Sequence, residues 1–386
     1  MAITVKHDAD KYCDYMNRIS DDELFKGLLG YGLFSEKIPA FLSSVSFYNA
    51  CKKISDNNFF KDKKKEKDFI RYENTRNIGI PRLLAIPNPI AYHNLCKVIA
   101  ENWDSIKEHF VNKTVLKSYK SHKISQIHIR KMKNKECLFE MKYTDKDSDN
   151  EVESDLEIGS NHLVKADIST CFPSIYTHSI SWAIQGKEDA KKNKTSKGHY
   201  SNKLDSLTRN IKFGETNGIL IGPHTSNLIS EIILVAIDSE LFKKKYKFVR
   251  KIDDYSCYVK DHNEADKFLR DLSSELKKYD LTLNHKKTKI HSLPIASDKN
   301  WVRKLRDYQF TEDRNKNGKL ILSSKKLKAY LDLSIDLFRA FQDDSAILNY
   351  AIQVISSNNL DESAKRYYLK KIHHLVLRYP YLISIL

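Results

Sequence analysis

Three aspartates stand where predicted strands end, in a pattern that fits phosphoryl transfer. Asp167 closes the apolar run HLVKAD, and the pair Asp253-Asp254 lies between two short runs that predict a β-hairpin. Transfer to a 3′-hydroxyl uses two divalent ions about 3.5–4 Å apart, bridged by carboxylates from separate strands. The pattern therefore predicts one carboxylate cluster. Ordinary turn chemistry remains an alternative for the Asp-Asp pair, and helix capping remains one for Asp167.

The elements that would position these acids predict an α+β body. Apolar residues at helical spacing predict helices within 10–58, 90–110, 225–241, 263–279 and most of the chain after 298. Strands are predicted at HLVKADI, KFVRKI, YSCYVK, LTLN and TKIHSL, after an extended, proline-rich NIGIPRLLAIPNP. The acids are thus expected on a sheet with helices around it and a helical C-terminal region.

Charge is distributed unevenly along the 386 residues. The formal net charge is +16, but residues 145–157 carry seven acids and one lysine, a net of −6 that leaves +22 on the rest. Such a basic surface favours nucleic acid as the partner, although it also serves solubility. The acids occupy every odd position from 145 to 157, which predicts a polar strand or a solvated loop, and we favour the loop over a functional acidic site. A second, basic loop is predicted for 187–203.

Cysteine use and hydropathy restrict the compartment. The six cysteines form no CxxC pair and no metal-ligand spacing, so neither a disulfide framework nor a structural zinc site is predicted. No run approaches the ~20 apolar residues that cross a bilayer, and the N-terminus lacks an apolar signal core. We expect a cytoplasmic protein without a membrane partner. The apolar ending YLISIL is expected to pack on the helical C-terminal region or on another subunit.

Five segments, taken in order, resemble the motifs of the reverse transcriptase family. They are the finger segment RLLAIPNPIAYHNLCKVIAENW and the four catalytic motifs DISTCFPSIY, GILIGPHTSNLISEIIL, RKIDDYSCYV and LTLNHKKTKI. The resemblance runs from about residue 76 to residue 293. It implies a right-hand polymerase with fingers, an antiparallel palm sheet and a helical, thumb-like C-terminal region.

The closer resemblance is to the bacterial abortive-infection and unknown-group reverse transcriptases of phage defence. It rests on PSIYTHSISWAIQGK, on NKLDSLTRN and on the GPHTS sequence that begins at Gly222. Gly222-Pro223-His224 replaces the PQG-type sequence that is common in group II intron and retron enzymes. Lys251 and Ile252 replace an aromatic residue and an alanine or valine before the acidic pair. These departures bear on polymerisation rate and fidelity rather than on metal binding.

The resemblance assigns catalytic and metal-site roles to the three aspartates. Asp167 and Asp253 would be ligands of two Mg²⁺ ions, which Mn²⁺ can replace, and Asp254 would position the site or ligate indirectly. Phe172 would be the steric gate beneath the incoming sugar, with a core phenylalanine as the alternative. Gly222 would allow close backbone approach to the template or the nascent base pair.

Four further residues carry roles with equally ordinary alternatives. Lys287 would lie near the triphosphate and protonate pyrophosphate, or be a solvated lysine in a KK pair. Arg82 would contact nucleotide phosphate, or pack on Tyr92. Arg209 and Ser226 would contact nucleic acid, although the first could be a surface charge and the second could serve the helix start.

The resemblance implies a bacterial, RNA-directed DNA polymerase that copies a dedicated noncoding RNA into DNA from dNTPs during antiphage defence. Template-independent or protein-primed polymerisation and a catalytically weak RNA-binding scaffold stay open. So do a homo-oligomer and a second polymerase subunit as partners. The expected domains are an N-terminal helical extension (1–75), fingers (76–160), a palm (161–297) and the thumb-like region (298–386).

Overall fold

A computed structural model of the chain describes residues 14–34, 38, 42–54, 60, 66–75, 81–114, 149–194, 198–296, 299–308, 310, 313–314, 320–342, 344–356 and 359–385. These residues fall into two compact units. The first draws on Met1–Glu36, Phe41–Tyr72 and Leu84–Pro294, and the second on Lys37–Ala40, Glu73–Leu83 and Ile295–Leu386. Within the described ranges no helix has the length and apolar character needed to cross a membrane.

Helices precede and surround the strands up to residue 292. In chain order the elements are α1 (Asp14–Asn17), α2 (Asp21–Tyr31), α3 (Val45–Lys53), β1 (Phe69–Asn74), β2 (Arg82–Pro87), α4 (Pro89–Glu101), α5 (Trp103–Thr114), α6 (Asp149–Glu157), β3 (His162–Asp167), α7 (Cys171–Ser174), α8 (Ser179–Gln185), α9 (Lys187–Lys192), α10 (Tyr200–Asn210), α11 (His224–Lys243), β4 (Lys247–Lys251), β5 (Asp254–Val259), α12 (His262–Lys277) and β6 (Lys289–Ser292). Strands β1 and β2 form a separate two-stranded sheet.

An antiparallel sheet in the order β4-β5-β3-β6 lies at the centre of the first unit. Side chains alternate between its two faces. Val164 and Tyr255 lie on the face that joins the main hydrophobic core. Leu163 and Tyr258 lie on the other face, where Leu156 of α6 packs against them. The predicted α+β class and the β4–β5 hairpin are therefore confirmed.

Helix α11 is the central helix of the main core. It is buried along nearly its whole length and contacts α5, α8 and α12. The helix begins after Pro223, whose extended backbone ends the preceding loop, so Gly222-Pro223 starts the helix as predicted. Two of its buried residues, Glu231 and Asp238, are acidic and require partners inside the protein.

The acidic segment is not the predicted strand or loop over its described part, because residues 149–157 form helix α6. Residues 145–148 lie outside the described residues. Leu156 attaches the helix to the sheet, and Glu153 forms a 2.5 Å ion pair with Lys251 of β4. The alternating acids have the period of a strand. The packing of Leu156 on the sheet and the ion pair of Glu153 with Lys251 favour a helix instead.

Two further expectations were wrong in part. The basic segment 187–203 is largely helical, in α9 and the start of α10, because its lysine, glutamate and alanine residues are good helix formers. Residues 195–197 of that segment lie outside the described residues. The predicted strand LTLN makes only an isolated bridge, between Leu283 and Ile168, while β6 joins the sheet as expected.

The second unit is mainly helical, as predicted for the chain after 298. Its elements are α13 (Asn300–Arg306), β7 (Asp313–Arg314), β8 (Leu320–Ile321), α14 (Ser324–Ala340), α15 (Ser345–Ser356), α16 (Glu362–Arg378) and a 3₁₀ helix (Pro380–Ile385). Leu382 of the apolar ending is fully buried in this unit's core, which confirms the expected packing for that residue. Ile383 is 61% exposed. Leu386 lies outside the described residues.

Candidate active site

The register of the sheet brings two of the three candidate aspartates together. Asp167 ends β3, Asp254 begins β5, and the two residues are direct partners in the antiparallel pairing. Residues paired in this way point to the same face, with Cβ atoms about 4.5–5.5 Å apart. By alternation along the strands this is the face of Leu163 and Tyr258 and not the face of the main core. Two carboxyl groups that lie 87 positions apart in the sequence thus share one surface.

Asp253 lies in the tight turn between β4 and β5. Lys251 pairs with Asp254, so only Ile252 and Asp253 connect the two strands. Ile252 has a φ of 57°, in the left-handed region that a β-branched residue rarely occupies. The carbonyl of Asp253 accepts a hydrogen bond from the amide of Ile168 at 3.2 Å, which fixes the turn beside the end of β3. All three aspartates therefore lie where the hairpin meets β3.

Asn284 and Lys287 hold the carboxylate of Asp167. The Asn284 side-chain amide donates to Oδ1 at 2.9 Å, and Lys287 Nζ donates to Oδ2 at 2.7 Å. The backbone of Asn284 also donates to the carbonyl of Asp167 at 2.8 Å and accepts from the amides of Lys287 and Thr288. The turn that follows Leu283 is thereby tied to the end of β3 at several points.

Burial, followed by the mutual repulsion of the carboxylates, raises the pKa values of the hairpin aspartates. Burial, the charge of Asp253 and a hydrogen bond with Asp167 raise the pKa of Asp254 to about 6. Burial also raises the pKa of Asp253, and the charge of Asp167 adds to this. The hydrogen bond to Asp167 raises the pKa of the Lys287 ammonium. The site therefore favours added positive charge.

The donor set fits a hard divalent cation. Among the described residues no three histidine, cysteine, aspartate or glutamate side chains form a ready-made metal site. Asn284 and Lys287 engage the two oxygens of Asp167. Carboxylate oxygens are nevertheless the ligands that Mg²⁺ prefers, and the ammonium of Lys287 already neutralises charge at this point. Asp167, Asp253 and Asp254 are the residues that would hold the ions.

Phe172 and the loop before α11 lie directly beyond β3. Phe172 is partly buried against the main core, and its carbonyl accepts from the amide of Ile219 at 2.9 Å. Gly218 has a φ of 80°, and a Cβ there would lie 2.6 Å from the carbonyl oxygen of Pro173. Only glycine permits this approach of the loop to α7. Gly222 has a φ of 128°, which also requires glycine.

The other sequence candidates lie on α11, α10 and β2. Ser226 is 1% exposed and lies in the first turn of α11, which has no side-chain cap hydrogen bond. Arg209 of α10 has Nε 3.4 Å from Asp205, whose other oxygen bonds His178 Nδ1 at 2.5 Å. Arg82 begins β2 and is partly buried.

Two residues near the aspartates were not singled out from the sequence. Asn284 ends the apolar run LTLN, and Arg250 stands at an inward position of the strand KFVRKI. The sequence signal for Arg250 is a charged side chain at a strand position that alternation places in the protein interior. The signal for Asn284 is a polar side chain at the end of an apolar run. Neither signal specifies the partner, which comes from another element of the chain.

The antiparallel sheet in the order β4-β5-β3-β6 carries Asp167 and Asp254 on one face. Residues 106–331 match the family described as reverse transcriptase (RNA-dependent DNA polymerase). This match covers more than half of the 386 residues. The chain belongs to the reverse transcriptase family. No curated protein matches it significantly.

Several solved telomerase structures are similar to the chain at low identity. Apo telomerase from Candida tropicalis has 15% identity and a TM-score of 0.41, over 92% of this chain and 70% of that one. A form truncated from its C-terminal domain has 16% identity and a TM-score of 0.39, over 70% and 60%. Telomerase from Candida albicans in complex with a fragment of telomeric RNA has 12% identity and a TM-score of 0.38, over 81% and 59%. The chain thus spans 60% of the truncated form and 59% of the Candida albicans protein.

Proposed function

We propose that this protein is an RNA-directed DNA polymerase that uses two Mg²⁺ ions, replaceable by Mn²⁺, held by Asp167, Asp253 and Asp254. The observation that carries the proposal is the direct pairing of Asp167 with Asp254 beside the turn of Asp253. Membership of the reverse transcriptase family supports the same reaction. When bound, the ions would activate the 3′-hydroxyl and hold the triphosphate and leaving group.

The chain's own residues would orient the reactants and move one proton. Asn284 would keep the Asp167 carboxylate in one orientation, since it donates to Oδ1 at 2.9 Å. The Lys287 side chain is 65% exposed and can turn from Asp167 towards a triphosphate, where its ammonium would donate a proton to the leaving pyrophosphate. Phe172 would lie under the sugar. Gly222 would leave room for the base pair, and Arg82 would contact phosphate.

The substrate class follows from the charge and from the sequence resemblance. A net charge of +16 favours an anionic polymer as the partner. The segments PSIYTHSISWAIQGK and NKLDSLTRN are similar to those of bacterial reverse transcriptases of phage defence. On this basis the template is a dedicated noncoding RNA, the product is its DNA copy, and the setting is antiphage defence in the bacterial cytoplasm.

Sequencing of the nucleic acids that copurify with the protein tests this function. We expect one enriched RNA species and, after incubation with dNTPs and Mg²⁺, DNA complementary to it. DNA without any complement in the bound RNA would favour template-independent synthesis, and DNA covalently joined to a tyrosine would favour protein priming. Bound RNA without any incorporation at either Mg²⁺ or Mn²⁺ would leave only an RNA-binding scaffold.

A further inference from the structure

A buried arginine lies beneath the turn that carries the aspartates. Arg250 precedes Lys251 on β4, so its side chain points to the opposite face of the sheet, into the main core. Its side chain is 0% exposed. Burial of a guanidinium is costly unless all of its donors are satisfied. The donors of the Arg250 guanidinium therefore need partners inside the protein.

Two acids of α11 and one backbone carbonyl satisfy the guanidinium. Arg250 Nε and Nη2 donate to Asp238 at 2.6–3.1 Å, and Nη1 and Nη2 donate to Glu231 at 2.9 and 3.0 Å. The remaining bond runs from Nη1 to the carbonyl of Ile252 at 2.7 Å. The Tyr255 hydroxyl donates to Asp238 Oδ1 at 2.9 Å and completes the cluster.

The bond to Ile252 acts on the most strained point of the hairpin. Ile252 has a φ of 57°, which strains a β-branched residue and persists only where the surrounding structure imposes it. The bonded carbonyl belongs to the peptide group that joins Ile252 to Asp253. The amide on the other side of that peptide belongs to Asp253 itself. One peptide plane thus links the buried guanidinium to a candidate metal ligand.

Stability alone does not account for this network. Replacing a buried ion cluster by apolar residues of similar volume is often neutral or stabilising. Apolar side chains of similar volume could fill the space between α11 and β4, but they could not donate to the carbonyl of Ile252. The hydrogen bond from Arg250 to the carbonyl of Ile252 is therefore what the charged network provides and an apolar core does not.

We propose that Arg250 is a positioning residue, anchored by Glu231 and Asp238, which sets the left-handed turn at Ile252 and so orients the carboxylates of Asp253 and Asp254. The inference rests on the proposed polymerase function for its catalytic consequence. Its structural consequence, a turn fixed from below, is independent of any activity. The two parts can therefore be tested separately.

An apolar replacement of the whole network tests the positioning role. The variant combines Arg250→Met, Glu231→Leu, Asp238→Leu and Tyr255→Phe, so that within the network only the carbonyl of Ile252 loses its hydrogen-bond donor. We expect a melting temperature close to that of the wild type, but faster amide hydrogen exchange at residues 252–254 and a kcat about 10²-fold lower. The KM for dNTP should change less than about threefold, because the nucleotide pocket is untouched. Wild-type exchange rates and kcat in this variant would overturn the proposal.

Two milder variants decide the matter if the apolar variant does not fold. Tyr255→Phe removes one hydrogen bond to Asp238, and Tyr246→Phe removes a comparable one to Asp271, which is 2.6 Å long and lies outside the network. We expect Tyr255→Phe to accelerate exchange at 252–254 and to lower kcat, and Tyr246→Phe to do neither. Equal exchange and equal kcat in the two variants would contradict positioning.

A conservative substitution adds a rescue test. Arg250→Lys keeps the charge but lacks the planar guanidinium that bonds two acids and a carbonyl at once. We therefore expect its kcat to lie between those of the wild type and the apolar variant.

Absence of incorporation by the wild-type protein would refute the polymerase function but not the role of Arg250 in fixing the turn. In that case hydrogen exchange at 252–254 still decides whether Arg250 fixes the hairpin.

Discussion

Replacing Asn284 by alanine removes an amide that holds the Asp167 carboxylate while it leaves the backbone of the turn in place. The lost bond is the 2.9 Å contact from Asn284 Nδ2 to Asp167 Oδ1. The backbone bonds of residue 284 to Asp167 and Lys287 do not depend on the side chain. The carboxylate should therefore remain in the site but lose its fixed orientation.

The size of the effect follows from these contacts. A hydrogen bond to a charged acceptor stabilises by about 1.5–3 kcal/mol. Asn284 is partly exposed, and Asp167 keeps its hydrogen bond from Lys287. Because water can replace part of the lost hydrogen-bond energy, we expect the free energy of unfolding to fall by about 1 kcal/mol. Loss of an outer partner of a metal ligand costs about 10–100-fold in affinity or activity. We expect kcat to fall by that factor and the Mg²⁺ concentration for half-maximal rate to rise.

The assay is primer extension on an RNA template over a Mg²⁺ series, with chemical unfolding of the same preparations. Asn161→Ala is the matched control, because Asn161 Nδ2 donates to the carbonyl of Lys260 at 2.9 Å, at the opposite end of β3 from Asp167. The control should lose comparable stability and no activity. Equal kcat and equal Mg²⁺ dependence in the two variants would refute the orienting role of Asn284.

Three further predictions concern the sugar gate, acid stability and the C-terminal core. Phe172→Ala should raise kcat/KM for ribonucleotides relative to deoxynucleotides on one primer-template, because a clash with the 2′-hydroxyl is removed; an equal fall for both would make Phe172 structural only. Burial lowers the pKa of His109 from 6.5 to about 4. Between pH 6.5 and pH 4 the histidine is therefore protonated in the unfolded chain but neutral in the folded one. As the pH falls through this range, the free energy of unfolding decreases by about 3 kcal/mol in total. His109→Gln, which keeps a donor for the carbonyl of Ile232, should narrow the difference in unfolding free energy between pH 7 and pH 4; an unchanged difference would exclude His109 as its source. Leu382→Asp should destabilise the protein by about 3 kcal/mol or more, since Leu382 is fully buried, whereas Ile383→Asp at 61% exposure should leave the melting temperature unchanged; equal melting of the two variants would contradict the described packing.

The sheet and its main helices were predictable because their signals are local. Short apolar runs in HLVKAD, KFVRKI and YSCYVK predict strands, and Asp167 and the Asp253-Asp254 pair stand at the ends of these runs. Helices α11 and α12 carry apolar residues at helical spacing over several turns.

Helix α6 and the partners of the aspartates were not predictable in this way. In α6 the charge pattern has a period of two, and the helix depends on Leu156 packing against the sheet. Asn284 and Arg250 find their partners 117 and 12–19 positions away in the sequence, on other elements. Spacing within one segment carries no information about such contacts, which depend on how the strands and α11 are arranged.

Incorporation of dNTPs on an RNA template by the wild type and by Asp253→Asn with Asp254→Asn tests the central claim most directly. Both substitutions keep the size of the side chain and remove ligand charge, while the basic residues that we expect to bind phosphate are unchanged. We expect divalent-dependent DNA synthesis by the wild type and none by the double variant, with RNA binding and melting temperature close to those of the wild type. DNA synthesis by the folded double variant at the wild-type rate would contradict the assignment of the site.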